Sequence, residues 1–565
     1  VLAIGLLPVT VLAWAFELTP EGLKHESKVN YSAPGFLQFG KRVDRSVMVL
    51  LVLGIAYFAV DKFVLSPQRE AALELHKTEE IAAAHERGRT EALVESYGDK
   101  SIAVLPFVNM SDDASNEFFS DGISEELLNL LTKIPELRVT SRSSAFSFKD
   151  EKIDIRTVAE KLNVAHILEG SVRKVGNHVR ITAQLLDART EARSDTHLWS
   201  ETYDRQLDDI FAIQDEIAVT VVAQLKITLL GAAPRVSETN PAAYSLFLQA
   251  RHLALLNTTE DWEQSNALYE QVLAIDPDYA AAWGGLATNY RSQAAHGLLP
   301  ADEGFSLVRE AAERALAIDP GYAPAHTNLG RGAMIYDNVL AHAARHYERA
   351  LQLDPANISI IRDAAVQLQN LGHLNESLAL MEFVTARDPV NPVGYGNLGI
   401  SYIYAGRWDD AIATLQACLR LSPEYMGAYY HTGVALLFKG EAEAALELFA
   451  MKESDEEYRV KGMAMALHTL GRQEEYQIKL DALIENWGDE WPSEVAHVYA
   501  YIGDTESAFQ WLDKAIEQNE DGLSEQFQLP FYKSLYTDPR WAAFLNSVGS
   551  SPEQLNAIKF EVTLP

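Results

Sequence analysis

Three arginines, Arg291, Arg331 and Arg362, carry the side-chain chemistry that points most directly to binding in this sequence. A guanidinium group presents a planar fork of N–H donors that matches a carboxylate, including the one at the C-terminus of a peptide. Tyr404 and Tyr430 add aromatic side chains of the kind that anchor protein partners. These residue types favour recognition of a polypeptide. The alternative interpretation is that they form only a solvated surface.

Other reactive side chains do not form a catalytic pattern. The sequence contains no GxxxxGK[ST] phosphate loop, no HExxH zinc motif and no GxSxG nucleophile elbow. His342 and His346 have a spacing that permits metal binding on one helix face, but they flank predicted core positions, which favours a solvated face. The acidic residues between Glu117 and Glu126 surround a predicted helix start, where the helix dipole explains them. We therefore predict no enzymatic activity, no cofactor and no metal site.

Composition argues against one class of partner. The 565-residue chain carries 47 Lys and Arg against 80 Asp and Glu, which gives a formal net charge of −33. Proteins that bind nucleic acids present basic surfaces, so we expect no nucleic-acid partner. The one cysteine, Cys418, excludes an internal disulfide and lies where a small core residue is expected.

Repeating helix pairs must position the arginines and tyrosines. The repeats are marked by regularly spaced prolines, with later intervals of 34 or 35 residues: Pro277, Pro320, Pro355, Pro389 and Pro423. In the unit at 392–425, Tyr395, Leu398 and Tyr402 form one apolar helix stripe, and Gly399 lets a second helix approach. One such pair cannot bury its apolar face, whereas stacked pairs can. This pattern resembles the tetratricopeptide repeat (TPR).

The TPR resemblance implies an α-solenoid of about eight helix pairs over residues 241–523, followed by a capping segment at 524–565. In such arrays the first helices of the pairs line a concave groove, and ligands contact first-helix positions outside the apolar stripe. A protein or peptide partner is therefore expected there. The resemblance implies this partner-binding set: Arg291, Arg331, Arg362, Gln369, Asn370, Tyr404 and Tyr430.

Two apolar segments near the N-terminus, residues 1–16 and 46–65, predict transmembrane helices that attach the chain to a membrane. A signal-peptide core is the alternative for the first segment. Basic residues in the loop 17–45 favour a cytoplasmic location for that loop by the positive-inside rule. Residues 66–99 predict a helical stalk. We therefore expect the chain at the inner membrane of a bacterium, with residues 66–565 in the periplasm.

Residues 100–230 predict a compact α/β domain with a mixed sheet. The pattern predicts a strand over Leu137–Phe148 and a hairpin with a turn at Gly176–Asn177. Four runs resemble the TolB-N-like domain that precedes TPR arrays in bacterial membrane proteins: SIAVLPFVNMSDD, FFSDGISEELLNLL, AHILEGSVRKVGNHVRITAQLLDA and HLWSETYDRQLDDIFAIQDEIA. Members of that family are sometimes labelled adenylate-cyclase-like.

The predicted fold class is mainly α, with transmembrane helices, a small α/β (TolB-N-like) domain and an α-solenoid of TPR helix pairs. The leading hypothesis is a membrane-anchored, non-enzymatic TPR scaffold that mediates protein–protein interactions in the bacterial cell envelope. The first alternative is a signalling or sensor ectodomain whose α/β domain binds a small ligand. The second is a cyclase-associated regulatory protein, an expectation that comes only from family neighbours.

Overall fold

A computed structural model of the chain separates into two compact units, Val1–Glu86 and Arg87–Pro565. In the first unit, β1 (Phe16–Thr19) and β2 (Gly22–His25) pair as antiparallel strands. All elements named below belong to the second unit. The residues that the structure describes are 16–19, 22–25, 100–113, 116–134, 136–151, 153–188, 196–225, 238–256, 258–451 and 456–562.

The prediction that the fold includes transmembrane helices is wrong. Within the described ranges, no helix has both the length and the apolar character needed to cross a membrane. The longest described helix, Ala301–Ile318, carries charged residues such as Asp302, Arg309 and Glu313, because one face packs in the core while the other faces water. The predicted segments 1–16 and 46–65 lie outside the described residues, except for Phe16, which begins β1.

A mixed sheet lies at the start of the second unit. Its order is β5–β3–β6–β7–β8, and β4 also pairs with β6. β3 is parallel to β5 and β6, whereas β7 is antiparallel to both of its neighbours. The predicted hairpin is confirmed, because Val175 faces His178 across the Gly176–Asn177 turn. The strands are β3 (Ser101–Val104), β4 (Val108–Asn109), β5 (Arg138–Val139), β6 (His166–Val175), β7 (His178–Asp187) and β8 (Thr196–Gln206).

Helices cover both faces of this sheet. Buried Leu127 of α1 and Ile217 of α4 share a core with Ile102 of β3. Leu162 of α3 packs in a second cluster with Ile167 of β6. The two clusters place the sheet in the middle of a layered α/β arrangement. The helices are α1 (Glu117–Thr132), α2 (Arg142–Phe146), α3 (Ile155–Leu162) and α4 (Ile210–Gln224).

The predicted strand at Leu137–Phe148 is wrong beyond β5. After the two residues of β5 the chain enters α2 instead. Ser141 begins that helix because its hydroxyl accepts a hydrogen bond from the backbone N–H of Ser144 at 3.3 Å. A local cap therefore overrides the apolar character of the segment.

Sixteen described helices follow and pair in chain order into eight hairpins. Contacts run mainly within each pair and between successive pairs, as in a solenoid. The predicted mainly helical solenoid is confirmed, while the predicted domain boundaries stay predictions. The helices are α5 (Pro241–Ala254), α6 (Thr259–Ile275), α7 (Ala280–Ala295), α8 (Ala301–Ile318), α9 (Ala323–Ile335), α10 (Leu340–Leu353), α11 (Ile358–Asn370), α12 (Leu374–Arg387), α13 (Pro392–Tyr404), α14 (Trp408–Leu421), α15 (Met426–Lys439), α16 (Ala442–Phe449), α17 (Glu456–Thr469), α18 (Gln473–Trp487), α19 (Pro492–Ile502) and α20 (Thr505–Glu517).

The pair α13–α14 shows why the repeat has its spacing. Asn391 caps α13, and its side chain accepts a hydrogen bond from Val393 N at 3.0 Å. A Cβ atom at Gly399 would lie 2.5 Å from Cγ of the fully buried Leu415, so only glycine permits this approach of the two helices. Cys418 is also fully buried in the same interface. These contacts fix how the first helices face the interior of the array.

The sheet is joined to the middle of the array as well as to its start. The buried guanidinium of Arg138 donates to the carbonyl oxygen of Asn163 at 2.7 Å and to that of Ala386, at the end of α12, at 3.3 Å. The Ser144 hydroxyl is hydrogen-bonded to the carboxylate of Asp388 in the same turn. The α/β region is thus anchored to a repeat turn far away in the sequence.

Two short helices, α21 (Pro539–Ser547) and α22 (Pro552–Ala557), follow the array. Trp541 and Phe544 of α21 share a buried cluster with Phe527 and with Phe509 of α20. This cluster holds the chain between α20 and α21 against the last helix pair. That intervening stretch takes part in the site described next.

Candidate functional site

A cavity of about 1330 Å³ lies on the face formed by the first helices of the pairs. Its wall includes Arg291 of α7 and Arg331 of α9, together with residues of α13, α15, α17 and α19. The chain's own stretch Gln518–Phe531, which we call the inner segment, forms another part of the wall. This is the surface on which the repeat pattern places the partner-binding set.

Four of the seven predicted residues line the cavity: Arg291, Arg331, Tyr404 and Tyr430. Tyr430 is 3% exposed and stacks on Tyr458, with the ring centroids 4.8 Å apart. Its ring is therefore part of the wall and does not project into the space. The role of the set in binding a partner stays a prediction.

The remaining three predicted residues, which do not line the cavity, have partners inside the protein. The buried amide of Gln369 accepts a hydrogen bond from the Ser401 hydroxyl at 2.8 Å. The buried amide of Asn370 donates to Glu525 of the inner segment at 3.5 Å. The third residue, Arg362, pairs with its neighbour Asp363. The structure thus divides the set into residues that line the space and residues that support the wall.

Asp363 lies between two of the predicted arginines. Its Oδ1 atom is 3.0 Å from Nη2 of Arg362 and 3.7 Å from Nη1 of Arg331. Burial alone would raise the pKa of Asp363, but Arg362 and Arg331 outweigh this effect and hold the pKa below its usual value. One ionised carboxylate therefore serves two guanidinium groups.

Arg291 has a different environment. Its Nε atom donates to the amide oxygen of Asn328 at 3.2 Å, and no carboxylate of the described residues lies within ion-pair distance of it. Burial, together with the nearby positive charge of Arg331, lowers the pKa of Arg291 to about 10, although the carboxylate of Asp363 acts in the opposite direction. The guanidinium still carries its charge at neutral pH, and the carboxylate of Asp363 acts on it at longer range than on Arg362 and Arg331.

The inner segment is bound to α9 through its backbone. The N–H of Gly522 donates to the carbonyl oxygen of Ile335 at 2.7 Å. The side chain of Asn338, just after α9, donates to the carbonyl of Glu520 at 3.0 Å and accepts from the N–H of Ser524 at 3.0 Å. Main-chain recognition of this kind is how receptors bind extended peptides. The wall of the cavity thus already holds a polypeptide, which is part of the same chain.

Glu525 is the acidic residue of the inner segment that meets the predicted set. The Tyr404 hydroxyl donates to its backbone carbonyl at 2.9 Å, and the Asn370 amide donates to its carboxylate. Burial raises the pKa of Glu525, while Arg331 acts in the opposite direction. The wall therefore contacts both the backbone and the carboxylate of Glu525.

The other end of the cavity contains a buried lysine. Lys461 of α17 is 2% exposed and forms an ion pair with Glu494 of α19. Its Nζ atom also lies 4.8 Å from the ring centroid of Tyr430 and 5.1 Å from that of Tyr458, which are cation–π distances. Burial lowers the pKa of Lys461. The lysine thus has a direct carboxylate partner in Glu494.

The two histidines noted in the sequence, His342 and His346, have different surroundings. His346 turns towards His326, with their Nδ1 atoms 3.2 Å apart, while His342 is exposed. No group of three or more His, Cys, Asp or Glu side chains among these residues is arranged to hold a metal ion.

Residues 397–456, which run from α13 into α17, match the family model of the tetratricopeptide repeat. The helix pairs of the array form a TPR-like solenoid. The predicted repeat type is confirmed for residues 397–456, and we call the helices α5–α20 the TPR array. The TolB-N-like resemblance of residues 100–230 stays a prediction.

A curated relative carries an enzyme name. The chain is 41% identical over 191 residues to "Putative adenylate cyclase 3" of Rhizobium meliloti (strain 1021). The alignment covers 33% of this chain, and the chain spans only 32% of the length of the relative. The adenylate-cyclase-like label expected from the family is thus present on a relative.

Three solved structures are among those to which the chain is similar. A human IFIT1 dimer with m7Gppp-AAAA has a TM-score of 0.34 and 15% identity, covering 55% of this chain and 77% of its own. PilF of Pseudomonas aeruginosa has a TM-score of 0.31 and 17% identity, covering 37% and 92%. YrrB, titled a TPR protein with an unusual peptide-binding site, has a TM-score of 0.26 and 16% identity, covering 36% and 97%. Likenesses at this level carry no argument about this chain.

Sequence reasoning missed the inner segment and the residues that meet it. Glu520, Glu525 and Lys461 were not among the predicted site residues. A signal is present, because four acidic residues lie between Glu517 and Glu525 while the first helices carry arginines. Charge complementarity between these two stretches could have suggested their contact.

Proposed function

We propose that this chain is a non-enzymatic scaffold whose TPR array binds a protein partner in the cavity. One observation carries the proposal: the wall of the cavity binds the backbone of the inner segment. The carbonyl oxygen of Ile335 in α9 accepts from the N–H of Gly522, and the Tyr404 hydroxyl donates to the carbonyl oxygen of Glu525. A surface that holds one polypeptide stretch has the donors, acceptors and shape to hold another.

The size and lining of the cavity support a peptide ligand. Its volume of about 1330 Å³ exceeds the roughly 300–1,000 Å³ of typical small-molecule sites. Apolar Ile400 and Ile403 lie in the wall near Tyr404, and Arg291 supplies a charged group. Apolar and aromatic contact with a small number of fixed polar groups is the composition expected of a specific peptide site.

Two alternatives have less support. The sensor hypothesis needs a ligand pocket in residues 100–230, whereas the cavity described above belongs to the TPR array and the inner segment. A cyclase-associated role is suggested by the name of the relative, but the alignment covers about a third of each chain. The predicted location, at the inner membrane with residues 66–565 in the periplasm, stays a prediction.

The proposal can be tested with short synthetic peptides that tile the proteins of the source organism. Binding to the full chain is measured in solution for the wild type and for two variants that fill the cavity, Ile400→Trp and Ala295→Trp. Ile400 is half-buried in the wall, whereas Ala295 is exposed at its rim, so the second variant should fold normally. Ile478→Trp is the control, because Ile478 is 65% exposed on α18 and does not line the cavity.

We expect a defined set of peptides to bind the wild type and the Ile478→Trp control equally. Each cavity variant should weaken this binding by about tenfold or more, since a buried contact that is lost costs more than about 1.4 kcal/mol. The proposal is wrong if no peptide binds, or if Ala295→Trp and Ile400→Trp bind the peptides as well as the wild type does.

A further inference from the structure

The inner segment is a loop that leaves the last helix pair, reaches the third pair and returns. It begins after α20, and in its middle the N–H of Gly522 donates to the carbonyl oxygen of Ile335 in α9 at 2.7 Å. At its end, the Phe531 ring lies against His497 of α19, with the ring centroids 4.9 Å apart. Four helix pairs separate the third pair from the eighth along the array. The segment therefore links pairs that are not neighbours.

Several hydrogen bonds attach the middle of the loop to the first helices. Asn338, just after α9, donates to the carbonyl oxygen of Glu520 and accepts from the N–H of Ser524, both at 3.0 Å. The Ser524 hydroxyl donates to the carbonyl oxygen of Met334 at 3.2 Å. Residues of α11 and α13 bind Glu525, as described above. The loop is thus attached to three first helices in addition to α19.

A link of this kind restrains a solenoid. Contacts in the array run mainly between neighbouring helices, so small rotations between successive pairs add up along its length. A connection between the third and eighth pairs opposes that accumulated movement. The cavity lies between the same first helices, so its width depends on whether the inner segment stays attached.

Glu520 makes this attachment depend on protonation. Its side chain is 5% exposed, and burial raises its pKa from 4.5 to about 7, although hydrogen bonds from Ser493 act in the opposite direction. Glu457 raises the pKa further, and Lys461 lowers it. Detachment would return the carboxyl group to water and to its ordinary pKa. Attachment is therefore strongest below about pH 4.5 and weakens as the pH rises through 7.

The titratable groups around Glu520 come from α17, from α19 and from the neighbouring chain: Glu457, Lys461, Glu494, His497, Asp521 and Tyr532. Lys461 supplies the positive charge among them and is already paired with Glu494. Burial and the charge of Lys461 hold the pKa of His497 well below its ordinary value, so this ring is neutral. Ionised Glu520 would have to share the charge of Lys461 with Glu494.

We propose that the inner segment is a proton-sensitive strap that sets the width of the TPR cavity. It is attached to α9 when the Glu520 carboxyl group is protonated, and it is released when that group ionises. Glu520 can control the attachment because its side chain binds Ser493 of α19 while its backbone carbonyl binds Asn338. Movement of the carboxyl group out of its buried site therefore also disturbs the contact with the third pair.

The test follows the full chain without a partner, so its outcome is independent of the proposed function. Hydrogen exchange at the amides of Gly522 and Ser524, corrected for the intrinsic effect of pH, reports detachment, and the amides of α13 are the internal reference. Spin labels at Arg345→Cys on α10 and Gln510→Cys on α20 report the separation of the third and eighth pairs. Both positions are exposed, whereas the native Cys418 is fully buried.

Four variants separate the possible causes. Glu520→Gln removes the charge, and Glu517→Gln makes the same change at an exposed position of α20 as the control. Asn338→Gly removes the side chain that binds the loop and tolerates the φ of 52° at this position, with the Gly522 amide as its reporter. Tyr404→Phe keeps the ring and removes only the hydroxyl that binds the Glu525 backbone.

From pH 5 to pH 8, exchange at the loop amides of the wild type and Glu517→Gln should rise by about tenfold to a hundredfold. The label separation should increase in parallel, while exchange in α13 stays constant. Glu520→Gln should stay attached at both pH values. Asn338→Gly and Tyr404→Phe should show faster exchange than the wild type already at pH 5, because each lacks a bond that holds the loop.

An equal rise of exchange with pH in Glu520→Gln and the wild type would overturn the inference. A parallel rise in α13 would also overturn it, because the whole array would then be opening. Detachment of the loop at a constant label separation would show that the inner segment does not set the width of the cavity.

Discussion

Glu520 is a carboxyl group buried where the inner segment meets α19. It is 5% exposed and accepts hydrogen bonds from the backbone N–H and the hydroxyl of Ser493. Burial raises its pKa from 4.5 to about 7 in the folded chain. The fold therefore favours the protonated form. The stability that this preference contributes is full below about pH 4.5 and is lost as the pH rises through 7.

Replacing Glu520 by Gln should remove this pH dependence. As the pH rises from 4.5 to 8, the free energy of unfolding of the wild type should fall by about 2–3 kcal/mol relative to that of the variant. The reason is that the variant has no charge to bury. Urea unfolding measured across this range tests the prediction. Glu517→Gln, at an exposed position on α20, is the control and should follow the wild type. Parallel pH profiles for Glu520→Gln and the wild type would contradict the argument.

At the residue scale, the sequence could place Arg331 and Tyr404 on the inner surface because the repeat period assigns each position to a helix face. It could not reveal that Asn370 and Tyr404 contact Glu525, since these residues are 155 and 121 positions apart from it. No local pattern encodes a contact of that range. The sequence also did not show whether the Tyr430 ring would be buried in the wall or would project into the cavity. That outcome depends on its contact with Tyr458 of the neighbouring repeat.

At the element scale, close contact between paired helices depends on particular glycines. Gly399→Ala should destabilise the chain by about 1–2 kcal/mol, because a Cβ atom 2.5 Å from Leu415 must push a fully buried side chain. This cost exceeds the gain of up to about 1 kcal/mol in helix propensity. Urea or thermal unfolding measures the difference.

Gly427→Ala is the matched control on α15, where the nearest side-chain atom would lie 3.9 Å from the new Cβ. Because this is an ordinary contact distance, the substitution changes only the helix propensity of the residue. This variant should therefore be as stable as the wild type or more stable. If Gly399→Ala and Gly427→Ala have equal stability, the close approach of α13 and α14 does not require glycine.

Elements were predictable where a local rule governs them. The turn at Gly176–Asn177 specifies the β6–β7 hairpin, and the apolar stripe of residues 392–402 specifies α13. The strand prediction over Leu137–Phe148 failed because a serine cap, a short-range signal, was stronger than the apolar content. The prediction of transmembrane helices came from apolar content alone, and no described helix bears it out.

At the scale of the whole second unit, two sets of contacts join segments that are far apart in the sequence. Arg138 joins the sheet to the end of α12, and the inner segment crosses from the last TPR pair to the end of α9. The repeat period predicts how neighbouring pairs stack, but it says nothing about where the chain goes after the last pair. The shape of the cavity therefore depends on a segment that lies outside the repeats.

The central claim is that a partner polypeptide occupies the cavity between the first helices and the inner segment. The most direct measurement is photocrosslinking of a bound peptide that carries a photoreactive group, with the attachment sites on the full chain mapped by mass spectrometry. We predict attachment at cavity residues such as Ile400 and Ile403, and its loss in Ala295→Trp. Attachment confined to second helices, such as around Ile478, or to the sheet of residues 100–225 would contradict the account.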